Sequence, residues 1–117
     1  MKVIGIVGSR RRDTDDDLEK CRQALLSIYE EGDTLVSGGC PRGGDRFCEV
    51  FANHYGIPIK IHWAEWDRLG KGAGFLRNTY IAKDADILIA VVAADRTGGA
   101  EDTIKKAQKM GKQIILV

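Results

Sequence analysis

Proline is scarce in this sequence. Pro41 and Pro58 are the only two among 117 residues, so the chain holds no proline-rich linker. Cysteine is scarce as well. Cys21, Cys40 and Cys48 are odd in number and form no CxxC pair, which suggests neither a disulfide framework nor a zinc site. A reducing, cytoplasmic compartment fits that usage best. Charge of one sign is nearly absent: 18 Lys+Arg stand against 17 Asp+Glu, a formal net charge of +1. The strong basic excess of a typical nucleic-acid-binding domain is missing, although net charge leaves a local patch open. Long hydrophobic runs are missing too. The longest, Ile87 to Ala94, falls far short of the roughly 20 residues a membrane span needs. Met1-Lys2-Val3-Ile4-Gly5 leads straight into a strand pattern, so no signal peptide and no membrane association is expected. The two histidines, His54 and His62, have no ligand-spaced partner, so neither a metal nor another cofactor is expected.

What the chain has is glycine, 14 residues of it, in a composition that is 44% hydrophobic and 30% charged. This is a soluble globular profile of one-domain length. Val3 to Val7 reads as a buried strand ending at Gly8-Ser9-Arg10. A helix is predicted from Asp13 to Glu31, with Leu18, Cys21, Leu25, Leu26 and Tyr29 on one face and a solvated acidic start at Asp13 to Asp17. Thr34 to Val36 is a second strand. A helix from Arg46 to Tyr55 follows, with His54 and Tyr55 on its apolar side. Ile57 to His62 alternates like a strand, Trp63 to Gly74 reads as loop, and Phe75 to Lys83 as a short helix. Ile87 to Val92 is the most hydrophobic strand, Asp102 to Met110 the last helix and Gln113 to Val117 the last strand.

Strands alternating with helices predict an α/β fold: a three-layer, Rossmann-like, doubly wound parallel sheet of five strands in the order 3-2-1-4-5. Ligands bind such sheets beyond the carboxyl ends of the strands, where the order reverses. Three glycine loops are expected there: Gly8-Ser9-Arg10, Ser37 to Asp45, and Asp95 to Asp102. Glycines admit a ligand close to the backbone, and the helices that follow present free N–H groups to an anion. A phosphate-bearing ligand is the leading physical reading. Two common phosphate motifs are absent, since Gly5-Ile6-Val7-Gly8-Ser9-Arg10 is not GxGxxG and no Gly-x4-Gly-Lys-Ser/Thr occurs. Arg10 is the arginine expected to touch the phosphate. Arg77 has the fork to clamp one, and Asn78 can bind a base or a ribose hydroxyl. Ser37 can donate to a phosphate or cap a turn, and Asp45 sits where it would cap its helix. Trp63 and Trp66 flank a loop and can stack on a base or pack as a lid.

Leu35-Val36-Ser37-Gly38-Gly39-Cys40-Pro41-Arg42-Gly43-Gly44-Asp45 resembles the SGGARGxD motif of the YspA-like and DNA-processing protein A families of the SLOG superfamily. Trp66 to Asn78 is similar to the YspA-like W-x3-G-K-x-AG-x2-RN signature, and Gly8-Ser9-Arg10 to its first-strand GSR. The resemblance covers essentially the whole chain and implies a domain that binds nucleotides or nucleotide-derived ligands. With the loop chemistry, it puts Gly8, Ser9, Arg10, Ser37, Gly38, Gly39, Arg42, Gly43, Asp45, Lys71, Arg77, Asn78, Thr97, Gly98 and Gly99 in the candidate ligand set. Related lonely-guy phosphoribohydrolases carry PGGxGTxxE after the fourth strand. Here Asp95-Arg96-Thr97-Gly98-Gly99-Ala100-Glu101-Asp102 places Asp102 at the catalytic glutamate position, with Glu101 beside it.

Three functions compete on this basis. The first is a sensor or carrier of a nucleotide-derived small molecule. It would pass its signal through a separate effector protein or a second copy of the chain. The second is an enzyme that cleaves the N-glycosidic bond of a nucleoside 5′-monophosphate, with Glu101 or Asp102 as acid–base group. The third, single-stranded nucleic-acid binding, is disfavoured by the near-neutral charge and the lack of an aromatic–basic ladder.

Overall fold

Val3 to Gly8 has no charged side chain to present to water. In the computed structural model, which describes residues 1–117, it forms the central strand β1 (Val3–Gly8). The chain continues through α1 (Asp15–Ile28), β2 (Thr34–Ser37), α2 (Gly44–Tyr55), β3 (Ile59–Ile61), α3 (Trp66–Leu69), α4 (Gly72–Asp84), β4 (Ile87–Val91), α5 (Gly99–Lys109) and β5 (Gln113–Leu116). All five strands are parallel, in the order β3-β2-β1-β4-β5. Ile4 pairs with Leu35 on one side of β1, and Ile6 with Ile89 on the other.

The period of two along each strand divides the core. Ile4, Ile6, Leu35, Ile89 and Val91 pack under α1 and α2 with Cys21, Leu25, Phe47 and Phe51. Their neighbours in sequence, Val7, Val36, Leu88 and Ala90, face the other way and pack with Ile81 and Ala82 of α4 and Ile104 and Ala107 of α5. The result is the three-layer, doubly wound α/β sandwich. Because the chain leaves β1 in one direction for β2 and β3 and returns on its other side for β4 and β5, the order reverses beside β1.

Several boundaries differ from the sequence expectation, each for a local reason. Thr14 caps α1, its hydroxyl accepting from Asp17 N–H (3.1 Å) while Asp17 reaches back to Thr14 N–H (3.3 Å), so the helix starts after Asp13. α1 ends at Ile28, and Leu26 stays partly exposed, outside the buried face. α2, α4 and α5 start at Gly44, Gly72 and Gly99, two or three residues earlier than expected. Their glycines form first turns in which N–H groups need no intrahelical partner. Trp66 to Leu69 is a helical turn inside the expected loop. β3 is trimmed to three residues at the sheet edge, where Pro58 has no N–H to add to a ladder. His54 and Tyr55, expected on the apolar face of α2, are exposed and pack edge to face on one another.

The acidic start of α1 is more than a solvated face. Asp13 Oδ1 accepts from Gly43 N–H and from Arg46 Nε, both at 2.8 Å, and so ties the α1 approach to the start of α2. These two donors hold the Asp13 carboxyl below its usual range. Asp17 pairs with Arg12 at 2.6 Å, and Arg12 also donates to the carbonyls of Val92 and Val117. No helix is long and apolar enough to cross a membrane.

Candidate functional site

A crevice of about 500 Å3 opens beyond the carboxyl ends of β1 and β4, where the strand order reverses. Its floor is Val7, Gly8 and Ser9 at the end of β1, with Ile81 and Thr103 beneath. One wall is the start of α5, Gly98 to Ala100. The N–H groups of Gly98, Gly99 and Ala100 make no hydrogen bond within the chain. They are the free amides that a helix start directs at an anion. Cys40 and Asp45 come in from the β2–α2 connection, and Trp66, Lys71, Gly74, Phe75, Arg77 and Asn78 from α3 and α4.

The electrostatics of this crevice are one-sided. Arg10 and Lys71 are exposed and form no ion pair or side-chain hydrogen bond. Arg77 donates from Nη1 to the Gly38 carbonyl (2.7 Å) and from Nε to Asn78 Oδ1 (3.0 Å), both neutral acceptors. Its guanidinium is therefore aimed by hydrogen bonds without losing its charge to a carboxylate partner. Arg11 alone is neutralised, by a two-pronged contact with Asp95 (2.9 Å for each nitrogen) and by the carbonyl and hydroxyl of Thr97 (2.8 Å each). That clamp holds the β4–α5 loop beside the β1–α1 loop and keeps the Asp95 carboxyl well below its usual range.

Asp45 is the one carboxylate in the lining. It is 7% exposed, and its Oδ2 accepts from Cys40 N–H at 3.1 Å. Burial pushes its carboxyl upward, while the Cys40 amide and the charge of Arg77 pull it back. Gly38 makes this arrangement fit: a Cβ there would lie 2.6 Å from Arg77 Nη1 and 2.9 Å from Asp45 Oδ2. Arginine and aspartate thus share the space that a side chain at position 38 would fill.

Of the residues expected at the site, the structure gathers Gly8, Ser9, Arg10, Asp45, Lys71, Arg77, Asn78, Gly98 and Gly99 in the crevice lining. Others lie behind it or beside it. Ser37 is fully buried, and its hydroxyl donates to the Ile6 carbonyl at 2.6 Å, tying β2 to β1. Gly38 makes room for Arg77, and Gly39 for Trp63, whose ring a Cβ would meet at 2.4 Å. Gly43 packs on the Ser9 carbonyl. Arg42 is exposed outside the lining, and Thr97 is held in the Arg11 clamp. The two expected catalytic carboxylates also lie outside it. Glu101 forms a two-pronged pair with Arg96 at 2.9 Å, while Asp102 accepts from Asn78 Nδ2 (3.1 Å) and Lys106 Nζ (2.8 Å). Through Asn78, Asp102 supports a residue that does face the crevice.

Arg11, Cys40, Phe75, Ala100 and Thr103 were not among the expected residues. Arg11 stands between Arg10 and Arg12 in the sequence, and nothing local says which of the three turns towards the β4–α5 loop. His62 lies away from the crevice, with Nε2 2.5 Å from Asp84 Oδ2 and its ring stacked on Tyr80. No group of three or more His, Cys, Asp or Glu side chains is placed to hold a metal ion. Comparison with protein-family models, with curated proteins and with solved structures finds no match to this chain.

Proposed function

We propose that the crevice binds the phosphate of a nucleotide or nucleotide-derived small molecule, and that the protein acts as sensor or carrier of that ligand. One observation carries the reading. Arg10, Lys71 and Arg77, none of them in an ion pair, converge with the unbonded amides of the α5 start on one crevice that holds a single carboxylate. Cations left unpaired around a concavity, beside free amides, favour an anion by both charge and hydrogen bonding. The resemblance of the glycine and W-x3-G-K motifs to the YspA-like family supports the same reading from the sequence side.

The test is thermal unfolding with nucleoside mono- and diphosphates and nucleotide sugars. At least one is expected to raise the melting temperature, and Arg77→Ala is expected to weaken that ligand about tenfold or more. No shift with any of them would remove the reading.

A hydrolytic function has one specific observation in its favour, the buried carboxylate of Asp45 beside Arg77 inside the crevice. In that reading Asp45, rather than Glu101 or Asp102, assists water in attacking the anomeric carbon while the base departs. Incubation with AMP, CMP, GMP or UMP would then release free base, and Asp45→Asn would abolish the release. Absence of release with all four leaves the binding function alone.

A further inference from the structure

The crevice holds two kinds of surface, charged and aromatic, and a phosphate accounts for only the first. The wall built by α3 and α4 presents two aromatic rings. Trp66 is 54% exposed and Phe75 is 59% exposed, and both line the crevice. Large apolar side chains left this open in a concave, cation-bearing site indicate a surface kept for a partner. Their placement is built. Gly74 lets the indole lie against the first turn of α4, where a Cβ would come within 3.0 Å of Trp66 Cη2. Phe75 is held from below by Lys106, whose Nζ donates to the Phe75 carbonyl at 2.6 Å and sits 5.7 Å from its ring centroid. Trp63 provides the contrast. It is more exposed still, at 64%, but it lies against Gly39 and does not line the crevice. A volume of about 500 Å3 lies within the range of whole small-molecule sites, and an inorganic phosphate would leave most of it empty.

We infer that Trp66 and Phe75 form a stacking surface for a nucleobase, so that the ligand class is a nucleoside phosphate with a free planar base rather than a sugar phosphate. This rests on the phosphate reading above and adds the other half of the ligand. Stacking on an aromatic ring tolerates any base, because every base has a π-face. AMP, GMP, CMP and UMP are therefore expected to bind within severalfold of one another.

The test uses the whole chain carrying Trp63→Phe, so that Trp66 is its only indole. Binding of AMP and of ribose 5-phosphate is followed by calorimetry and by indole emission. AMP is expected to bind at least about fivefold more tightly than ribose 5-phosphate and to quench Trp66, with ribose 5-phosphate leaving emission unchanged. Adding Trp66→Ala removes most of the AMP advantage and leaves ribose 5-phosphate affinity within about twofold, whereas Trp66→Phe retains a ring and most of the preference. Phe75→Ala acts in the same direction without touching the reporter. Equal binding of the two ligands, or unchanged Trp66 emission on AMP binding, overturns the stacking surface and leaves the phosphate site standing. If neither ligand binds, and no other nucleotide does, both readings fall together.

Discussion

Two glycine pairs open two helices in this protein, and they do opposite jobs. Gly43-Gly44 precedes and begins α2, and Gly98-Gly99 does the same for α5. Both pairs follow a strand, and the residue ahead of each helix has positive φ: 73° at Gly43, 114° at Gly98. In sequence they are the same signal. In space, the first pair is occupied by the chain itself. A Cβ on Gly44 would lie 2.3 Å from the carbonyl carbon and oxygen of Val7, and one on Gly43 would lie 2.3 Å from the Ser9 oxygen. A Cβ on Gly98 or Gly99 would meet nothing within 4 Å. The α2 pair lets a helix start press on the end of β1. The α5 pair leaves a helix start open to the crevice. A glycine loop at a strand end therefore signals a close approach without saying what approaches.

Substitutions can break that contrast. Gly44→Ala has the largest expected effect, a loss of about 3 kcal/mol in urea unfolding, because the clash is with the backbone of the central strand. A loss under about 0.5 kcal/mol would mean that the helix start is not pressed on β1.

Asp13→Asn comes next, since Asp13 anchors the same helix start through Gly43 N–H and Arg46. The folded carboxyl is lowered, so its stabilisation is complete above the unfolded value of about 4 and disappears as pH falls through the folded one. The variant should melt below the parent at pH 7, and the two should converge in acid.

Asp45→Asn should show the opposite sign. Burial raises the folded Asp45 carboxyl, so holding it ionised weakens the fold as pH rises above the unfolded value of about 4. Melting of the variant should therefore exceed the parent's at pH 7 and match it in acid. Affinity for a phosphate-bearing ligand should not fall, because the change removes the one carboxylate of the crevice.

The smallest stability effect is expected for Gly99→Ala, within about 0.5 kcal/mol, since its Cβ meets nothing. Calorimetry should nevertheless show weaker nucleotide binding if the ligand approaches the α5 amides. Unchanged affinity would put the phosphate elsewhere in the crevice.

Much of the architecture was legible from one dimension. Val3-Ile4-Gly5-Ile6-Val7 and Ile87-Leu88-Ile89-Ala90-Val91 cannot be placed anywhere but between two covered faces, and the alternation with amphipathic helices leaves few topologies. Helix starts were misjudged by two or three residues at α2, α4 and α5, because a glycine's low helix propensity is a poor guide in a first turn. The candidate site was legible as a set of loops and less so residue by residue. Ser37 and Ser9 look alike in sequence, yet one is spent on the Ile6 carbonyl and the other lines the crevice. Glu101 and Asp102 look available for chemistry, yet Arg96, Asn78 and Lys106 hold both. Asp45 reads as a helix cap, yet it is the carboxylate that faces the cavity.

The sequence by itself determined the parallel α/β order and the end of the sheet where the loops gather, because hydrophobic period and chain connectivity are properties of local pattern. Only the tertiary structure decided which of Arg10, Arg11 and Arg12 is left unpaired, which carboxylate faces the crevice, which tryptophan faces it and which glycine pair stays open. Each of those depends on what lies across a gap from another part of the chain: Asp95 for Arg11, Cys40 N–H and Arg77 for Asp45, Gly74 for Trp66, and Val7 for Gly44. Charge pairing, burial and steric contact act through space, and separation along the chain carries no record of them.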